Sequence, residues 1–163
     1  MPISADLPTP GEPNPDFHDA LLAFVGREVR FLVVGAHAVG AHGVPRATQD
    51  LDIWIDPAEP NARRAWHALV EFGAPLKELK IEPGDFARAE TVVQVGRPPN
   101  RIDILTDLSG LTFDEAWSTR IEGLVEGVRV PILGRDALIR NKRAAGRHKD
   151  LGDVEALGEG PGD

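Results

Sequence analysis

From Asp50 to Asp56 the chain reads Asp-Leu-Asp-Ile-Trp-Ile-Asp before Pro57 stops it, and this heptapeptide limits the fold more than any other stretch. Its period of two is that of a half-buried β-strand: Leu51, Ile53 and Ile55 point one way, and Asp50, Asp52 and Trp54 the other. Aspartate is unfavourable in strands, so two on one face need a reason beyond backbone preference. The chain must therefore build a sheet that buries the aliphatic side of this strand and leaves its carboxylate side accessible.

Its neighbours are read the same way. Phe31 to Val34 is short, apolar and partly β-branched and breaks at Gly35, as a buried strand does. A small-residue helix over Ala36 to His42 follows, ended by Gly43 and the Val44-Pro45 turn. Thr91 to Val95 and Arg101 to Leu105 form a hairpin across Gly96 to Asn100, with Ile102 and Ile104 facing the core and Asp103 the opposite side. Asp16 is placed to cap a first helix presenting Phe17, Leu21, Leu22 and Val25. Pro60 stands in the first turn of a helix that presents Trp66, Leu69, Val70 and Phe72 and closes at Gly73. Thr112 caps a short helix; strand-like Ile121 to Val125 and Val128 to Ile132 precede a helical region from Arg135 to Leu157. The expectation is one α/β (α+β) domain over residues 16–157, a mixed central sheet flanked by helices. The proline-rich residues 1–15 read as a flexible lead and residues 158–163 as a flexible tail.

Composition narrows the function. A net charge of −8 and a pI near 5.1 disfavour a broad basic face for non-specific duplex DNA. With no cysteine, thiolate zinc sites, disulfides and thiol nucleophiles are excluded. No signal-like N-terminus or long apolar run is found, which makes a cytoplasmic location the default and predicts no membrane segment. His37 and His42 lie on different sides of a helix and no His-Glu-x-x-His occurs, so a zinc site is not expected. Walker-type and Gly-x-Ser-x-Gly motifs are absent as well.

What remains is acidic chemistry. Two carboxylates separated by one strand residue lie roughly 6.5–7 Å apart at their Cα atoms. Magnesium takes oxygen ligands and keeps waters and substrate phosphates in its shell, so a few carboxylates on rigid strands suffice. Asp103 would add a third on a neighbouring strand, enough for two ions that clamp an attacking and a leaving oxygen. By itself, Asp-x-Asp on a strand is more often a solvated face or a loop ligand than a catalytic pair. Trp54 shares that face, where rim packing competes with stacking on a nucleobase.

Taken together, residues 35–56 (GAHAVGAHGVPRATQDLDIWID) and RIDIL resemble the active-site signature of the polymerase-beta-type nucleotidyltransferase superfamily: a hydrophobic strand, Gly-Gly or Gly-Ser, a spacer, two alternating aspartates and a third acidic residue between hydrophobics. The most similar pattern is that of minimal bacterial nucleotidyltransferases of the abortive-infection and toxin-antitoxin type. Aminoglycoside and lincosamide nucleotidyltransferases are more distant.

The resemblance implies a nucleotidyltransferase fold. Asp50, Asp52 and Asp103 would be metal-binding and catalytic, with Asp103 as base; the cofactor would be two Mg2+ ions, Mn2+ being the alternative. Gly35 matches the first motif glycine. Ala36 departs from the usual Gly or Ser, leaving the backbone N–H at the helix start for phosphate. Arg46 and Thr48 match the Arg-x-Thr turn, where Arg46 either forks onto phosphate or closes a structural salt bridge within the turn. Asn141 to Asp153 resembles a toxin-type helix in which Lys142 meets the triphosphate of an NTP such as ATP, with Arg147, Lys149, Asp150 and Asp153 in second place.

The acceptor implied is tRNA, a protein hydroxyl or a small molecule, and an antitoxin or a second copy of the chain is the expected protein partner. Two other readings stay open: an antibiotic nucleotidyltransferase, and a catalytically idle nucleotide-binding or regulatory module.

Overall fold

The computed structural model describes residues 13–96 and 98–158. Most of the expected N-terminal lead and all but the first residue of the tail fall outside that range. Among the described residues six strands form one mixed sheet in the order β3-β4-β2-β1-β6-β5. The strands are β1 (Phe31–Val34), β2 (Asp50–Ile55), β3 (Val92–Val95), β4 (Arg101–Leu105), β5 (Ile121–Val125) and β6 (Val128–Ile132). Six α-helices accompany them, α1 (Pro15–Gly26), α2 (Gly35–Ala41), α3 (Glu59–Phe72), α4 (Phe113–Ser118), α5 (Arg135–Ala145) and α6 (His148–Ala156), with a 3-10 turn at Pro83–Ala87.

Antiparallel β1/β2 and the β3/β4 and β5/β6 hairpins alternate with the parallel pairs β2/β4 and β1/β6. The mixed α/β architecture expected from the periodicities is the one present. Within it, β2 is flanked by β1 on one side and β4 on the other. The alternation of its residues is therefore decided by burial on one face and by the cleft on the other.

Leu51, Ile53 and Ile55 are fully buried, with Ile102 and Ile104 of β4 beside them. Trp54, on the carboxylate face, is also buried: its indole meets Phe113 of α4 edge-on at 5.1 Å. The possible stacking role is thereby closed to it, because the ring is walled in by α4.

Several local expectations are corrected. Asn14, not Asp16, caps α1, its side chain accepting from the N–H groups of Asp16 and Phe17. The buried stripe of α1 is Phe17, Ala20, Leu21 and Phe24, while Leu22 and Val25 are exposed. In α3 the buried positions are Asn61, Ala62, Ala65, Ala68 and Leu69; Val70 is exposed, and Trp66 and Phe72 only border the core. Small alanines let α3 lie close against its neighbours, and of the large side chains expected to face inward only Leu69 is fully buried. The C-terminal helical region is two helices, broken where Gly146 adopts a left-handed conformation at the end of α5.

Asn61 locks α3 to the sheet. Its side chain accepts from Arg30 N–H at 2.7 Å and donates to the carbonyls of Arg30 and Asp56 at 2.9 and 2.8 Å, joining the entry of β1 to the exit of β2. None of the described helices is long and apolar enough to cross a membrane.

Candidate active site

Parallel pairing of β2 with β4 sets Asp52 directly opposite Asp103, and Asp50 opposite Arg101. Strand neighbours lie about 4.8 Å apart, so the Asp52 and Asp103 carboxyls face each other closely enough for each to act on the other's proton affinity. Asp50 sits at the open end of the strand, with Arg101 Nε donating to it at 3.4 Å. On the other side of β2, Val34 pairs with Asp52, and Gly35 follows it into α2. Gly35 has φ +67°, and a Cβ there would overlap the Asp52 carboxylate. Only glycine leaves that carboxylate its place.

The charge state follows from this crowding. Burial first, then the neighbouring Asp103 and Asp50 charges, push the Asp52 carboxyl up to about 6, against a smaller opposing pull from Lys142. Asp103 is also raised, by burial and then by Asp50, with Arg101 and a Gln94 hydrogen bond pulling the other way. Asp103 Oδ1 is buried and has no hydrogen-bond partner. Two carboxyls opposite each other across β2 and β4, one with an orphaned buried oxygen, are suited to a hard divalent cation, which would offset their crowded charge and use that oxygen. Among the described residues no group of three or more metal-ligating side chains is already drawn together. Asp50 lines the same cleft and its charge acts on both other carboxyls, while its own side chain pairs with Arg101.

Opposite the carboxylates, α5 and α6 supply cations. A cleft of about 390 Å3 runs between them, with Gly35, Asp52, Asp103, Asn141, Lys142 and Arg147 among its walls. Lys142 is 8% exposed, and its Nζ pairs with Asp150 Oδ1 at 3.3 Å and with Asp153 Oδ2 at 3.0 Å. Arg147 Nε donates to Asp150 Oδ2 at 2.6 Å. Arg46 donates to Asp153 Oδ1 of α6, an ion pair across the fold in place of the expected bridge within the turn. Burial alone would raise both aspartates; hydrogen bonds from Arg147 and Lys142 to Asp150, and from Arg46 and Lys142 to Asp153, outweigh it and hold them below the usual carboxylate range.

Thr48 serves the turn: its hydroxyl accepts from Asp50 N–H at 3.0 Å. Ala36 lies in the first turn of α2, which has no side-chain cap. His37 is in α2, where burial lowers its pKa against the opposing effect of Glu126. A larger hollow of about 790 Å3, between residues 47–49 and the Pro98-Pro99 turn, shares Asp50 with the cleft.

The sequence-based candidates Gly35, Asp50, Asp52, Asp103 and Lys142 thus line one cleft, while Ala36, Arg46 and Thr48 are not among its walls. Asn141 and Ser109 were not foreseen. Asn141 donates to the Ser109 carbonyl at 3.1 Å and so holds the loop after β4 at the cleft edge, a pairing across 32 positions with no local signal.

No family model and no curated protein matches this sequence. Solved structures do. A nucleotidyltransferase candidate from Thermotoga maritima superposes with a TM-score of 0.52 at 17% identity, covering 86% of this chain and 88% of that one. The antibiotic-resistance factor ANT(2'')-Ia superposes with a TM-score of 0.52 at 14% identity, covering 88% of this chain and 80% of the other. At such identities the likeness is one of fold: six mixed strands and their helices form a nucleotidyltransferase fold.

Proposed function

We propose that this chain is a magnesium-dependent nucleotidyltransferase that moves a nucleoside monophosphate from an NTP to an acceptor hydroxyl and releases pyrophosphate. The observation that carries the reading is the pairing of Asp52 with Asp103 across β2 and β4, beside a glycine that cannot be replaced without displacing Asp52. Asp52 and Asp103 would hold the cation, with Asp50 joining them when Arg101 is displaced. Bound magnesium would neutralise phosphate charge and act as a Lewis acid at the phosphoryl oxygens.

The chain's own groups divide the remaining work. Asp103 accepts the proton of the acceptor hydroxyl as its oxygen bonds to the α-phosphorus, and the bond from that phosphorus to the pyrophosphate oxygen breaks. Lys142 and Arg147, on the opposite wall, balance the negative charge of the departing pyrophosphate, and uncapped amides at the start of α2 add N–H donors. Such chemistry is mostly positioning and electrostatics, which suits a rigid sheet facing a basic helix pair.

The acceptor is a tRNA, a protein or a small molecule, and the cellular role is that of a toxin with its antitoxin. A second reading, antibiotic modification, is favoured by the fold shared with ANT(2'')-Ia across most of both chains. The test is transfer of label from α-labelled NTPs, with magnesium, to tRNA, to protein and to aminoglycosides. Asp52→Asn is expected to lower transfer by about 10²–10³-fold or more. Equal transfer by both proteins would overturn the assignment, and the labelled acceptor decides between the two roles.

A further inference from the structure

An open cleft with carboxylates on one wall and a lysine on the other faces a problem before any ligand arrives. The opposite charges attract across a partly dehydrated gap, and a flexible ammonium would fold onto the acidic pair and occupy it. Lys142 is near enough for its charge to act on Asp52, and both residues line the same cleft. Yet its ion pairs are with Asp150 and Asp153.

These two aspartates are unusual for their position. They lie three residues apart on α6 and are 0% and 5% exposed, a burial that carboxylates tolerate only when well paired. Each is held from a second direction, Asp150 by Arg147 and Asp153 by Arg46 from the turn before β2. The five side chains carry three positive and two negative charges, so the cluster keeps one net positive charge at the cleft wall. The second partners matter: a carboxylate anchored by an arginine stays in place when Lys142 moves.

Resting on the active-site reading above, we propose that Asp150 and Asp153 are positioning residues that hold Lys142 away from Asp52 and Asp103, reserving the carboxylates for a divalent cation and the ammonium for the nucleotide. Arg46 belongs to this device as the anchor of Asp153, and ties the lead-in turn of β2 to α6. A purely structural ion cluster would stabilise the fold equally well but would have no bearing on what binds to the opposite wall.

Mn2+ binding by calorimetry on the full chain without nucleotide separates these roles, with thermal melts confirming that each variant is folded. Asp153→Asn is expected to weaken Mn2+ binding about tenfold or more, because the released Lys142 competes for the acidic pair. The double variant Asp153→Asn/Lys142→Met is expected to restore wild-type affinity to within a few-fold, since the competitor is gone. Asp150→Asn, measured alone and with Lys142→Met, repeats the comparison should the first variant fail to fold. Unchanged affinity in the folded single variants, or double variants as weak as the singles, would overturn the proposal. Wild-type protein that binds no Mn2+ would instead remove the metal-site reading itself, and this inference with it.

Discussion

Gly35 shows how one missing carbon makes room for chemistry. Two costs attach to a side chain there: the left-handed backbone, about 1 kcal/mol for a non-glycine residue, and overlap with the Asp52 carboxylate. Gly43 separates them, because it also has a positive φ, +97°, but has open space where its Cβ would go. Gly43→Ala is therefore expected to cost about 1 kcal/mol in urea unfolding. Gly35→Ala should cost about 2–4 kcal/mol, the excess being displacement of packed atoms, and should also abolish cation binding. Equal costs for the two variants would show that Asp52 yields freely and that Gly35 is only a turn residue.

Among the elements, α3 is held less by large side chains than by Asn61, a buried residue that makes three hydrogen bonds to backbone groups at the ends of β1 and β2. Asn61→Ala leaves the Arg30 N–H and the Asp56 carbonyl without that partner, while the Arg30 carbonyl keeps the Asp56 N–H, an expected loss of about 1–3 kcal/mol by denaturant unfolding; a change below about 0.5 kcal/mol would mean that water replaces the amide. This lock also shows where sequence reading stops. The strands of the site were legible because period two is a local property and because Asp50, Asp52 and Asp103 interrupt apolar strands that have no use for them. The outward turn of Leu22, Val25 and Val70 was not, since helical spacing alone does not say which of two adjoining stripes meets the sheet. Nor was the link from Arg46 to Asp153, 107 positions apart, which exists only once α6 packs beside the turn before β2. Lys142 was found by pattern, but its two restraining partners could be ranked only after the chain had folded around them.

For the whole molecule, these charges set opposing pH dependences. Asp52 is raised from 3.8 to about 6, so the folded chain holds a proton that the unfolded chain has released between those values. Its contribution to stability is fully present below about pH 4 and is lost as pH rises through 6. Asp150 and Asp153 are depressed, so theirs is present above the unfolded carboxylate value and is lost only as acid protonates the folded pair. His37, lowered by burial, favours the fold as pH rises through the ordinary imidazole range and so works against Asp52 near neutrality. The wild-type profile mixes all of these, but the difference between wild type and Asp52→Asn isolates one of them. In EDTA, Asp52→Asn should melt at nearly the wild-type temperature below about pH 4 and several degrees above it at pH 7.5. Magnesium should then raise the wild-type melting temperature at pH 7.5 and leave the variant unmoved, because the cation takes the place of the proton that burial demands. A variant that melts below wild type at pH 7.5 without metal would mean that Asp52 is stabilised as an anion in the empty cleft, and that Lys142 already reaches it.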